Sequence, residues 1–202
     1  MPRPLHFAAL LALAAAFAPL ARASEPVSRD QVMDAIRVFE SKAQGHLSAQ
    51  DAAGDEASAV ARACNTILKF SLESDLVVVD LGNDSVPWCD VKKGLGDLPN
   101  SGERGLLLAA YLAGSVKAQL ESGKQDPNPY KGWVNMLHVY RTMKVREGVT
   151  IPEVEGLLAF EMNGTLEAHA AEAVRRSTES LRRLYGTQGG DAKAVSSSPG
   201  KS

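Results

Sequence analysis

The chain has 202 residues, 45% hydrophobic and only 5% aromatic, with 22 basic and 24 acidic side chains and a formal net charge of −2. That length suits one domain. The charge excludes a general nucleic-acid binder, which needs a basic surface, and the scarcity of aromatics beside abundant Ala favours helices over a β-sandwich or barrel.

The first residues read MPRPLHFAALLALAAAFAPLARAS. Arg3 supplies a basic start, Phe7–Leu20 an apolar core, and Ala21-Arg22-Ala23 a small-x-small cleavage signal before Ser24. This pattern predicts a secretory signal peptide over residues 1–23, to be kept out of the fold. No Cys follows the cleavage site, so no lipoprotein anchor is expected. No later run reaches the ~20 apolar residues of a membrane span. The expected product is exported: periplasmic if the source is Gram-negative, otherwise secreted. Loss of Arg3 and Arg22 takes its formal charge from −2 to −4. Residues 24–186 are expected to form a single helical domain, and the Gly-, Ser- and Lys-rich residues 187–202 a disordered tail.

The first helix is announced by Ser28-Arg-Asp-Gln31, a capping box, with Val32, Ile36, Phe39 and Ala43 at helical spacing and Gly45 at its end. Residues 45–55, which include His46, read as a linker or a weak helical turn. A second helix is predicted from Glu56 to Leu72, capped by Asp55, with Val60, Ala63, Cys64 and Ile67 on its inner face. Leu76–Leu81, LVVVDL, is then strand-like and ends at Gly82-Asn83. No second clear strand offers to pair with it. It is either an extended tether lying on the helices or half of a small ribbon with Val86–Cys89. Residues 92–101 read as loop.

The most apolar stretch outside the leader is Gly105–Leu120, expected to be the central helix. Asn100 and Ser101 are both possible N-caps, Glu103 suits the positive end of the dipole, and Gly123 suits the C-terminal turn. Gly105, Ala109 and Ala113 form one row of small residues, and Ala110, Gly114 and Ala118 another. Gly114 costs about 1 kcal/mol against Ala in a helix interior, so a close neighbour there is expected. After Asp126-Pro-Asn-Pro129, Asn128 can cap a fourth helix carrying Trp133, Leu137, Tyr140 and Lys144 on one stripe and ending at Gly148. Thr150-Ile-Pro-Glu153 reads as a second capping box, opening a fifth helix that closes at Asn163-Gly164. A sixth runs over Leu166–Tyr185, with Glu172/Arg176 and Glu179/Arg183 at i,i+4 on its outer face. The fold class is therefore all-α: a bundle of five or six helices with one short extended segment near Leu76–Leu81.

The chemistry-bearing residues form no recognised set. No HExxH, GxSxG or phosphate-loop pattern occurs. His46, His138 and His169 lack the ligand spacing of a metal site. Asp75, Asp80, Asp84, Asp90 and Asp97 cluster without the spacing of a calcium loop and read as a solvated loop. No catalytic, cofactor-binding or metal-binding residue is predicted, and no enzyme. Cys64 and Cys89 are the only cysteines, and an exported pair invites a disulfide, which would pin the extended excursion to the second helix. Trp88, Tyr111, Tyr130, Trp133 and Tyr140 are the candidate contact or pocket residues. Such rings serve equally as core, where they dominate packing, and as binding hot spots.

Tyr111-Leu-Ala-Gly-Ser-Val-Lys-Ala118, a turn, then Trp133–Tyr140 and the short helix after Pro152, resembles the layout of the Rap1a/Tai-type immunity proteins. The shared feature is a Tyr-aliphatic-x-Gly-x-x-x-Ala helix followed by two amphipathic helices, over about Leu106–Leu166, roughly a third of the chain. Both cysteines lie outside it. The resemblance implies a small exported all-helical protein of Gram-negative bacteria that binds and blocks a toxic peptidoglycan amidase. The stretch also resembles exported bacterial proteins of unassigned function. Two classes of function stand: a non-enzymatic binding or interaction protein, whose partner would be another envelope protein, and a carrier or enzyme with an inter-helix pocket. A structural or accessory envelope component is the third. The oligomeric state is left open.

Overall fold

The computed structural model describes residues 25–45, 55–90 and 94–185. The expected leader and tail and most of the 45–55 linker lie outside the described residues. Among the described residues there are six α-helices and no strand. They are α1 (Arg29–Gly45), α2 (Asp55–Glu73), α3 (Ser101–Ser122), α4 (Tyr130–Glu147), α5 (Pro152–Met162) and α6 (Leu166–Tyr185), with a 3₁₀ turn at Leu95–Asp97. The all-α bundle is as expected. Leu76–Leu81 takes the tether form rather than the ribbon.

Helix α3 is central. It packs against α1, α2 and α4, while α1 and α2 pair with each other, and α5 and α6 attach through α4 and to one another. The apolar run accounts for this. Leu107, Leu108, Tyr111, Leu112 and Val116 are all buried, and they point in several directions around the helix. The closest approach is between α3 and α4. A Cβ on Gly114 would lie 2.6 Å from the Lys131 carbonyl oxygen and 2.7 Å from Asn135 Cβ. One on Gly132 would lie 2.4 Å from both Ser115 Oγ and the Tyr111 ring. The two helices therefore touch backbone to backbone, which offsets the helix-propensity cost of both glycines. Of the two small-residue rows, it is Ala110–Gly114–Ala118 that meets α4, and Asn135 Nδ2 donates to the Ala110 carbonyl at 2.8 Å. Gly105, in the other row, faces open space.

Helix ends show where local signals prevail and where tertiary contacts displace them. The Ser28 box forms as read: the Gln31 N–H donates to Ser28 Oγ at 3.2 Å and the Ser28 N–H to Gln31 Oε1 at 2.8 Å. Gly123 and Gly148 end their helices in the left-handed conformation, φ 66° at each. Three caps differ from expectation. Asn100 holds the N-cap position of α3 in a left-handed conformation, φ 57°, and makes no side-chain cap bond. Asn128 Oδ1 does accept the Tyr130 N–H at 2.9 Å, but Pro129 rather than Asn128 is the cap, so α4 starts one residue later. The Thr150 box does not form. Ile151 is the cap of α5, its N–H donates to Tyr140 Oη at 3.1 Å, and Glu153 turns to Arg104.

The expected Cys64–Cys89 disulfide is also corrected: both thiols are free and not at bonding distance. Cys64 belongs to the α2 side of the core, whereas Cys89 is buried beside Arg104 and Glu153, at the start of α3 and α5. The excursion between α2 and α3 is held by other means.

Candidate functional site

Residues 74–90 cross the bundle with almost no regular backbone bonding, and side chains from the helices take over that role. Gln119 Oε1 accepts the Val78 N–H and Gln119 Nε2 donates to the Val78 carbonyl, each at 2.9 Å. Tyr111 Oη donates to the Asp80 carbonyl at 2.8 Å and Trp133 Nε1 to the Ser85 carbonyl at 2.6 Å. Arg176 binds Asp84 at 2.9 Å. Arg104, itself buried, donates to the Trp88 and Pro99 carbonyls and to Glu153. A buried guanidinium is tolerated only when its donors are so occupied. These contacts tie the excursion to α3, α4 and α6, whereas the expected disulfide would have tied it to α2.

The same contacts fix the status of the aromatic candidates. Trp88, Tyr111, Trp133 and Tyr140 are all 0–1% exposed, so the structure gives them the core role. Trp88 packs edge-on against Tyr111, with ring centroids 5.9 Å apart. Its indole N–H finds no acceptor among the described residues, so Trp88 is anchored through its backbone carbonyl instead. Burial and the nearby Asp80 raise the Tyr111 phenol above its usual range. Tyr140 Oη donates to Glu155, and burial with that bond pushes the phenol up to about 12. The bonds from Lys144 and Tyr140 hold the Glu155 carboxyl below its ordinary value. Only Tyr130 of the five is partly exposed, with the Lys131 ammonium 5.4 Å from its ring centroid.

The remaining reactive groups are quiet. Burial pushes both cysteine thiols up to about 12, which keeps them protonated at neutral pH and poor as nucleophiles. Asp80 accepts from the Gly82 N–H and from Ser85 Oγ, and Asp84 pairs with Arg176, so neither is set out for calcium. Among the described residues no group of three His, Cys, Asp or Glu could hold a metal ion. His169 stacks with two rings, 3.9 Å from the Phe160 centroid and 5.5 Å from that of Trp133. Desolvation, then the Arg176 charge, lowers its pKa. Nothing in the sequence announces this stack, because its members come from α4, α5 and α6 and meet only through packing.

An open concavity of about 450 Å³ lies where α1, α3 and α4 converge. Gly114 and Ala118 of α3 form part of its lining. The Glu40–Lys117 pair, at 2.8 Å, bridges α1 to α3 beside it. Lys131, Val134, Asn135 and His138 of α4, with Glu121 of α3, complete the lining. Val134 is 38% exposed and His138 is exposed. The surface is open and balanced in charge, with Glu40 and Glu121 against Lys117 and Lys131. Small-molecule sites bury most of their ligand in a largely apolar hollow, whereas this one is an open face lined by side chains of both charges. Sequence reasoning marked Gly114 and Ala118 as a close-packing row but missed the concavity, whose lining comes from three helices.

No family model matches the chain, and neither a curated protein nor a solved structure matches it significantly.

Proposed function

We propose that the chain is a non-enzymatic binding protein of the bacterial cell envelope, acting through the α1–α3–α4 face. The observation that carries this reading is the division of labour among side chains. Four of the five aromatic candidates for a ligand pocket are buried in the core, and Tyr111, Trp133 and Tyr140 are hydrogen-bonded there. The open face carries instead charged side chains of both signs beside exposed Val134, which suits a macromolecular contact better than an enclosed ligand. One concrete form is an immunity-like inhibitor of a peptidoglycan amidase. In its support, the Tyr-aliphatic-x-Gly-x-x-x-Ala helix on which the resemblance rests supplies Gly114 and Ala118 to this face.

The test is affinity capture from envelope and secreted fractions of the source, with Lys131→Glu/Val134→Asp as control. One stoichiometric partner that loses at least tenfold affinity for the variant, with helical content unchanged, supports the reading. Amidase activity in that partner, blocked by the protein, supports the immunity form. Equal capture by both proteins, or capture of none, rules this face out.

A further inference from the structure

Two Asn-x-Ser/Thr triplets occur in the chain, Asn83-Asp84-Ser85 and Asn163-Gly164-Thr165, and the fold treats them in opposite ways. In an exported protein such a triplet is an acceptor for N-linked glycans. The Asn carboxamide takes the sugar, and the hydroxyl two residues on is part of what the transferase reads, so both groups must be within reach. In the first triplet Asn83 is exposed, but Ser85 is fully buried. Its Oγ donates to Asp80 at 2.9 Å, and its carbonyl is held by the Trp133 indole. In the second, every residue from Met162 to Thr165 is exposed. Asn163 ends α5 through its backbone, its N–H donating to the Ala159 carbonyl at 3.1 Å, while its carboxamide makes no hydrogen bond among the described residues. Gly164 turns the chain into α6 with φ 69°, a conformation that favours glycine. Thr165 Oγ1 donates to the Phe160 carbonyl at 3.2 Å, but the Thr165 N–H engages the same carbonyl at 2.9 Å, so the turn keeps its tie when the hydroxyl is drawn away.

We propose that Asn163 is the N-glycan acceptor of this chain, taking an oligosaccharide from a polyprenyl-pyrophosphate carrier, and that Asn83 is not an acceptor. In the transfer a bond forms between Asn163 Nδ2 and the anomeric carbon of the sugar. The bond from that carbon to the pyrophosphate oxygen breaks, polyprenyl pyrophosphate leaves with the electron pair, and the amide proton passes to a base of the transferase. A carboxamide with no partner to lose is turned toward the donor at little cost, whereas reading Ser85 would require extracting a buried, bonded hydroxyl. The flanks differ too. Glu161 stands two residues before Asn163, and Leu81 two before Asn83. Glu161 pairs with Arg141 at a partly exposed site, a contact worth little and readily exchanged for a basic group on the transferase. A glycan here adds a bulky hydrophilic group to the α5–α6 turn. Neither of those helices lines the α1–α3–α4 concavity, so the face assigned to binding stays free. The proposal shares with the functional reading only the expectation of export.

The test is transfer to the purified, folded full chain, incubated with a bacterial oligosaccharyltransferase and an undecaprenyl-pyrophosphate-linked oligosaccharide and read by intact mass and peptide mapping. The expected result is a mass gain of one glycan, carried by the peptide that contains Asn163. Asn163→Gln and Thr165→Ala should each accept none, with unchanged helical circular dichroism. Thr165→Ser, which keeps the hydroxyl, and Asn83→Gln should accept as the parent does. The chain recovered from the envelope or secreted fraction of its source should carry the same single glycan. No mass gain in the purified chain, a glycan on Asn83, or an unmodified chain in the exported fraction overturns the proposal. A chain that accepts the glycan at Asn163 when purified but is confined to the cytoplasm of its source supports the acceptor site and breaks the export reading instead.

Discussion

The α3–α4 contact and the excursion over residues 74–90 lie side by side, sharing Tyr111 and Trp133, yet they are stabilised in opposite ways. Between α3 and α4 the backbone is self-sufficient in hydrogen bonds, and small residues let the helices close to contact at Gly114 and Gly132. In the excursion the backbone makes only a few turn bonds of its own, and Gln119, Tyr111, Trp133 and Arg104 supply others one at a time. A helical contact tolerates no added atom. The irregular segment depends on the donors that hold its carbonyls as well as on its own buried side chains, Val86 and Trp88.

The sharpest way to break the first region is Gly132→Ala. Its Cβ meets the Tyr111 ring and Ser115 Oγ, and overpacking of this kind costs about 3 kcal/mol. Urea denaturation should show that loss; a change under about 1 kcal/mol would mean that α3 and α4 separate easily. The corresponding change in the second region is Arg104→Met. It keeps the aliphatic stem but leaves the Trp88 and Pro99 carbonyls without their donor, for an expected loss of about 2 kcal/mol. Limited proteolysis should then cut within residues 82–100 before any helix is cut.

A third, smaller effect is pH dependence at His169. Its folded pKa lies below the ordinary 6.5. The neutral ring is therefore the form the fold favours. Its contribution is complete above the unfolded pKa and is lost as pH falls through the folded one. Chemical denaturation from pH 7.5 downward should show a shallow loss of stability that His169→Phe removes; identical profiles for both proteins would refute the assignment. The smallest expected effect is none. Reductant should leave the thermal midpoint unchanged, since Cys64 and Cys89 are free, and both thiols should alkylate after unfolding without reductant. One intact bridge in the unreduced protein would restore the disulfide to the excursion.

Most of the helical architecture is legible in the sequence because its signals are local. The periodicity of Val32, Ile36 and Phe39, the Ser28–Gln31 box and the terminal glycines at 123 and 148 act within a turn or two of the chain. Even the close approach at Gly114 shows as an otherwise costly residue in a helix interior. The Thr150 box misleads for an instructive reason. Tyr140 and Arg104, distant in sequence, compete successfully for the groups such a box would use.

The site follows the same division. That Trp88, Tyr111, Trp133 and Tyr140 matter is readable from their scarcity; that they are core is decided by partners as far away as the 48 positions separating Trp133 from Ser85. Cysteine count and the expectation of export argue for a bridge, but bond formation needs two thiols brought together in space, and here both are free. The concavity and the His169 stack are likewise absent from any local pattern. Helices are specified by hydrogen bonds and periodicity within the segment itself, so the sequence alone decided them. Surfaces and irregular segments take their form from residues on other elements, so only the tertiary structure could decide which groups lie buried, paired or exposed.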